Sequence, residues 1–268
     1  MSMEPVMSEE ARRGGLLPDA VDRVTIGGLP IAVLGRKDTA RMICDAARER
    51  PRGGRPLYLT SANGEVLARC WRDPDLSALF LEADQIAADG QPMVTASRFL
   101  CRAALPERVA TTDLFHDVAE LAAAEGLSFY MLGATVEENA RAVAAVRRLY
   151  PDLKIAGHCH GYLAGAELEA KIAEIDALAP DILWLAMGVP HEQRFMRAHG
   201  HKLGRVGVVK TSGGLFNFLS GKNARAPRWM QDAGLEWVWR IGQEPRRLFW
   251  RYFVTNPVAI YAMVRDSA

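Results

Sequence analysis

The sequence predicts an α/β fold: a parallel sheet covered by helices on both faces, followed by a helical appendage at the C-terminal end. Three observations predict it. Short apolar runs alternate with segments of helical length from about residue 57 to residue 210. The apolar runs are continuous rather than alternating with polar residues, as strands buried on both faces must be. The alternation then stops near Phe218, and short helical stretches separated by Pro and Gly follow, with no strand pattern.

The elements are justified in chain order. MSMEPVMSEEARRGG has no apolar h-region, so it does not read as a signal peptide, and the first 20 residues read as a disordered tail. Val24–Ile26 and Ile31–Leu34 flank Gly27-Gly28-Leu29-Pro30, which suits a small hairpin. Lys37–Arg50 is rich in Ala and Arg and helical in pattern, and Leu57–Thr60 is a buried strand. Further strands are expected at Gln85–Ala88, Ser128–Leu132, Lys154–Ala156, Ile182–Ala186 and Val206–Lys210. Helices are expected at Met93–Ala103, Asp113–Ala124, Val136–Tyr150, Ala166–Leu178 and His191–His201. Residues 21–219 thus form the core, and 220–268 the appendage.

Composition excludes several classes. The chain has 268 residues, 49% hydrophobic and 24% charged, with a formal net charge of +1, so no global field favours nucleic acid. Cys44, Cys70, Cys101 and Cys159 form no CxxC pair and read as buried small hydrophobes in a reducing cytosol. No stretch approaches the roughly 18 apolar residues needed to span a bilayer.

Ligands of parallel sheets bind beyond the carboxyl ends of the strands, and the candidate residues fall there. Asp89-Gly90 follows the run Gln85–Ala88; a carboxylate at a strand end suits a general base, and a turn or helix cap is the plainer reading. Thr60, Ser61 and Asn63 offer hydrogen bonds to a uracil, ribose or sugar, while Asn63 also suits a helix N-cap. Thr112 and Asp113 would cap the next helix, whose N-terminus can face a phosphate. Gly133 ends a strand in a nucleotide-site shape that is not GxGxxG, which argues against a dinucleotide cofactor. Gly188 and Pro190 shape a turn after another strand, with Glu192 and Gln193 in the first helical turn beyond, where either residue also suits capping. His158 and His160 would share a strand face, but two ligands are too few for a closed zinc site.

The stretch Ser212–Tyr252 joins a Gly213-Gly214 turn, large apolar residues (Trp229, Trp237, Trp239, Phe249, Trp250) and interleaved arginines. From Lys222 to Arg251, seven cations (Lys222, Arg225, Arg228, Arg240, Arg246, Arg247, Arg251) face three acids (Asp232, Glu236, Glu244). A solvated basic face is the plain reading of such a run. Arginine forks also suit phosphate oxygens, and interfacial aromatics suit a headgroup layer, so the ending points to a phosphorylated, membrane-held partner.

This ending resembles that of bacterial glycosyltransferases of the WecG/TagA/CpsF family. The matching residues are Gly213-Gly214, Ser220-Gly221, Arg225-Ala226-Pro227-Arg228-Trp229, Gly234-Leu235-Glu236-Trp237-Val238-Trp239-Arg240, Glu244-Pro245-Arg246-Arg247 and Arg251-Tyr252. Ala88-Asp89-Gly90, Ser61-Ala62-Asn63, Arg108–Leu114, His160-Gly161-Tyr162 and Gly188–Phe195 extend the resemblance over about Val24 to Tyr252. The chain departs from the pattern at Ser61 (usually Thr), Thr111 (usually Gly), the inverted pair Glu192-Gln193, Phe195 (usually Trp) and Asn217 (often Asp).

The resemblance implies a Rossmann-like, inverting glycosyltransferase with a membrane-docking C-terminal appendage. It implies a UDP-sugar donor, N-acetylmannosamine being the best-known sugar, and a polyprenyl-diphosphate-linked acceptor in cell-surface polysaccharide assembly. The protein would be peripheral on the cytoplasmic face of the inner membrane, in monomeric or homo-oligomeric form. Asp89 is then the base, and Arg240 and Arg247, with Arg225 next, neutralise diphosphate without a metal or other cofactor. Two rival readings are a non-catalytic sugar-nucleotide-binding scaffold and a UDP-sugar epimerase or dehydrogenase. The intact Asp89-Gly90 opposes the first, and the missing dinucleotide fingerprint opposes the second.

Overall fold

The computed structural model describes residues 21–227, 229–230, 236–243 and 245–268, with side chains at 237, 240, 243, 245–249 and 252 outside that description. The expected tail, residues 1–20, lies outside it too. An eight-stranded sheet organises the molecule: β1 (Arg23–Ile26), β2 (Leu29–Ala32), β3 (Leu57–Ala62), β4 (Gln85–Ala88), β5 (Ser128–Gly133), β6 (Lys154–Cys159), β7 (Ile182–Ala186) and β8 (Val208–Thr211). Its order is β1-β2-β4-β3-β8-β7-β5-β6. Only the β1–β2 hairpin pairs antiparallel; every other ladder is parallel.

Helices cover both faces. In chain order they are α1 (Arg36–Glu49), α2 (Gly64–Arg72), α3 (Pro74–Phe80), α4 (Gln91–Leu100), α5 (Thr111–Glu125), α6 (Val136–Leu149), α7 (Gly165–Leu178), α8 (His191–His199), α9 (Leu215–Leu219), α10 (Glu236–Gln243) and α11 (Pro245–Arg265). Strand residues alternate between the two layers, as the two-residue period requires. Leu57, Leu59, Met131, Trp184 and Val208 face α1, α5 and α6, while Tyr58, Tyr130, Leu132, Leu183 and Val209 face α7 and α8. Phe115 packs edge-on against Phe129 and Trp184, which meet each other tilted, with centroids 4.8 to 5.9 Å apart, and each is fully buried. Burial of each such ring stabilises by roughly 2–3 kcal/mol.

The ends of the elements follow their capping chemistry. The Asn63 side chain accepts from Val66 N and caps α2; the Asp73 side chain does the same for α3, whose Pro74 supplies the preset φ of a first helical residue. Gly27 and Gly28, both with positive φ, make the hairpin turn, so β2 begins at Leu29 and includes Pro30, both of which the sequence placed in the turn. β8 begins at Val208 rather than Val206. A Cβ at Gly207 would collide with Arg52 and the Asp181 carbonyl, and the chain is still turning there.

The C-terminal part differs from the expected run of short helices. α11 is 21 residues long and runs through Pro257. Ala259, Ala262 and Met263 on it are buried, and Met263 packs into the α2–α3 cluster. Beyond α11, Thr25 and Ala268 exchange backbone hydrogen bonds at 3.1 and 3.0 Å, so the chain's last residues lie against β1.

Candidate active site

The parallel strands all finish at one edge of the sheet, and the residues just beyond β3, β4, β5, β7 and β8 share that rim. Asp89 follows β4 directly, and its N–H donates to Ala62 O at 2.7 Å, which locks the two strand ends together. Both carboxylate oxygens are held. Oδ2 accepts from the Thr111 amide at 3.2 Å and the Thr111 hydroxyl at 3.0 Å. Oδ1 accepts from Arg108 Nη2 at 3.2 Å and Nε at 3.4 Å. Charge-assisted bonds of this kind fix orientation as well as charge.

Arg108 has a second partner. Its Nη1 donates to Glu236 on α10 at 2.8 Å. Burial alone would push the Arg108 guanidinium down, but the charges of Asp89 and Glu236 outweigh it and hold it up. Arg225 approaches the same Glu236 at 3.8 Å and pairs with Asp113 in the first turn of α5. Burial pushes the Asp113 carboxyl up; the Arg225 bond and the charges of Arg225, Arg36 and Arg108 outweigh it and hold the group low. Two arginines and three carboxylates thus clasp the C-terminal segment onto the rim.

Beneath the rim lies a buried polar layer. Lys210 on β8 is fully buried and donates from Nζ to Ser61 Oγ and Thr211 O, each at 2.8 Å. Burial pushes its ammonium down to about 8, against the pull of Glu192 and Asp89. On the other face of the sheet, Thr211 donates to the Thr60 hydroxyl at 2.8 Å, and Gln193 Nε2 donates to it at 3.3 Å. Glu192 is 3% exposed and accepts from Gly188 N at 3.2 Å and Gly213 N at 3.0 Å. Burial pushes its carboxyl up, opposed first by the Gly213 amide and then by Lys210.

A cleft of about 750 Å³ opens on the rim past β5, β7 and β8. Gly188, Gly213 and Gly214 line it, with Arg194, Asn217 and Lys222 among its polar walls. Glu192 therefore ties together two of the loops that form it.

The model of the glycosyl transferase WecG/TagA/CpsF family matches residues 24–268 of this chain. The chain belongs to this family. It is 29% identical over 209 residues to an N-acetylglucosaminyldiphosphoundecaprenol N-acetyl-beta-D-mannosaminyltransferase of Bacillus subtilis, covering 78% of this chain and 79% of that protein. A protein of the same name from Bacillus spizizenii is 29% identical over 211 residues, again covering 78% and 79%.

Against the family pattern, the residues expected to form the site divide into groups. Asp89, Gly90, Ser61, Asn63 and Asp113 stand on the rim, and Thr60, Glu192 and Gln193 lie in the buried layer below it. Thr112 and Asp113 are not caps. The N-cap of α5 is Ala110, with no side-chain cap bond, and both residues lie inside the first turn. Pro190 follows a cis peptide bond and precedes α8. Gly133 has a φ of 144°, and a Cβ there would lie 2.2 Å from Ala186 O, so backbone packing alone demands glycine.

The arginines and histidines divide differently. Arg240 and Arg247 fall on separate helices, α10 and α11, and their side chains lie outside the described residues. His158 bonds Asn139 Oδ1 and His160 accepts from Tyr162 N. Among the described residues no three His, Cys, Asp or Glu side chains group as metal ligands. Arg108, Glu236 and Lys210 were absent from the expected set. A signal for Arg108 existed, since it opens the matched segment Arg108–Leu114.

Proposed function

We propose that this protein transfers a hexose, N-acetylmannosamine or a related sugar, from a UDP-sugar to a saccharide on polyprenyl diphosphate, with inversion at the anomeric carbon. The observation that carries the reading is the placement of Asp89: an oriented carboxylate on the same rim as a nucleotide-sized cleft, in a chain of a glycosyl transferase family. The named relatives support the acceptor class.

Asp89 takes the proton of the acceptor hydroxyl. That oxygen bonds the anomeric carbon as the bond to the donor's diphosphate oxygen breaks, and UDP leaves with the electron pair. The nucleotide occupies the cleft, and Arg225, Arg240 and Arg247 supply positive charge near the leaving diphosphate.

Residues from about Ser220 serve as the docking appendage. Trp250, Phe253, Val254, Ile260, Tyr261 and Val264 fall on one face of α11 at its helical period, and each is 47–66% exposed. That outward apolar stripe supports peripheral attachment to the cytoplasmic face of a membrane carrying the acceptor. No helix among the described residues is long and apolar enough to cross one.

The test is UDP release from a panel of UDP-sugars, with a polyprenyl-diphosphate-GlcNAc analogue as acceptor. Acceptor-dependent release is expected from the wild type, and Asp89→Asn should lose about two to four orders of magnitude in rate while still binding UDP. Undiminished release from Asp89→Asn would sink the assignment of the base.

A further inference from the structure

Lys210 lies in the middle of the sheet, between β3 and β7, with its ammonium wholly buried. The base chemistry above does not require a charge there, and a buried ammonium is unfavourable unless its protons are used. Its contacts show where they go. Nζ donates to Ser61 Oγ at 2.8 Å. Ser61 Oγ is 3.2 Å from Thr111 Oγ1, which is 3.0 Å from Asp89 Oδ2. The three sheet residues share one face: Lys210 pairs with Leu59, Ser61 pairs with Ala87, and Asp89 comes two residues after Ala87.

A hydroxyl has one proton to give. Thr111 Oγ1 is within donating distance of both Ser61 Oγ and Asp89 Oδ2, and its one hydrogen must choose between them. Because Lys210 already donates to Ser61 Oγ, that oxygen is the poorer acceptor, and the ammonium biases the Thr111 hydrogen toward Asp89. Without the ammonium the two hydroxyls can reverse, Thr111 donating to Ser61 and leaving Oδ2 with the Thr111 amide alone.

We propose that Lys210 is a positioning residue for Asp89, acting through the Ser61–Thr111 hydroxyl relay to hold the carboxylate in one orientation. This deepens the reading of Asp89 as the base and rests on it. The charged groups facing the relay are Glu192 on α8 and Asp89 at the Lys210 end, and Arg108, shared with Glu236 of α10, at the Asp89 end. Removing Lys210 takes one cation away and leaves Arg108, so the Thr111 hydrogen is free to turn from Asp89 to Ser61.

The experiment is a pH titration of the full chain by ¹H–¹⁵N spectroscopy, read at the Thr111 amide, which donates to Asp89 Oδ2 at 3.2 Å. Asp89→Asn, which abolishes the titration, assigns the signal. Lys210→Met is expected to move the midpoint away from the wild-type one, Ser61→Ala to move it the same way, and the double variant to move it no further than either. Ser61→Ala probes the same link without altering a buried position as large as Lys210.

Turnover is read alongside. In Lys210→Met, kcat is expected to fall about tenfold or more with the donor KM within about twofold. A merely structural Lys210 would lower the folded fraction and leave the midpoint in place. The proposal is overturned if the Lys210→Met midpoint coincides with the wild type, or if the Lys210→Met and Ser61→Ala shifts add. If the midpoints move as expected while the wild type transfers no sugar, the relay stands and the reading of Asp89 as base fails.

Discussion

Replacing Lys210 with Met also isolates what a buried charge does to stability. Met is unbranched, similar in length and carries no charge. In the folded protein, burial pushes the Lys210 ammonium down from 10.5 to about 8, with Glu192 and then Asp89 acting the other way. In the unfolded chain it titrates at the ordinary value. Between those two values the unfolded chain keeps a proton that the folded chain has released, so stability rises with pH there. Below that window the folded protein bears the whole unfavourable contribution. At about 1.4 kcal/mol per pH unit this is roughly 3 kcal/mol near neutral pH, and about 2.5 kcal/mol of it is relieved by about pH 10. The variant has no such group. We predict that the unfolding free energy of wild type minus that of Lys210→Met climbs by about 2–3 kcal/mol from about pH 7 to about pH 10. The lost hydrogen bonds to Ser61 and Thr211 add only a constant offset. Urea unfolding followed by tryptophan fluorescence at several pH values measures the difference. Two curves that run parallel across the window would refute the reasoning, because Lys210 would then titrate alike in both states.

Four further outcomes are expected. Gly133→Ala should destabilise the fold by more than about 3 kcal/mol, since its Cβ meets a strand carbonyl at 2.2 Å; a urea midpoint unchanged from wild type would contradict the crowding. Arg225→Ala should loosen the C-terminal segment and speed its cleavage by trypsin or chymotrypsin, because Asp113 and Glu236 both lose a partner. The same clasp should hold at neutral pH and weaken only as pH falls below about 4, because Asp113 is held under the ordinary carboxylate range. Trp250→Ser together with Phe253→Ser should reduce flotation with anionic vesicles several-fold while leaving soluble UDP binding intact; unchanged flotation would remove α11 as the docking surface.

The strands buried on both faces were the most legible part of the chain. β7 appears in the sequence as an uninterrupted apolar run and β4 as Gln85 followed by three apolar residues, and their ends in the structure are those read. β6 is longer than the apolar run predicts, because Gly157 continues the strand by yielding space to the Tyr130 ring: a Cβ there would lie 2.5 Å from the ring. α3 was overlooked although Asp73-Pro74 is a helix start by its chemistry. α11 continues through Pro257 with one face against the core and the other outward. At the site, Asp89 is legible from its place after a strand. Lys210 is not, and the matched segment Arg108–Leu114 marks Arg108 without its partners, because what distinguishes both is tertiary. Arg108 meets a carboxylate 128 residues away, and Lys210 ends an apolar run like many exposed lysines. Thr111 stands where the family pattern has Gly, and that substitution supplies one of the bonds to Asp89.

The path of α11 has a mechanical consequence. Near its start Arg251 pairs with Glu65 at 2.9 Å, and just past its end the Asp266 carboxylate accepts from the Trp71 indole at 3.1 Å. Ala268 is then stitched to Thr25 on the sheet margin. The helix is pinned at both ends and unbroken between them, a span of about 30 Å at ~1.5 Å per residue. It is a keel, not a swinging arm. Whatever surface receives its outer stripe also sets the tilt of the whole sheet, and with it the height at which the rim carrying Asp89 stands above that surface.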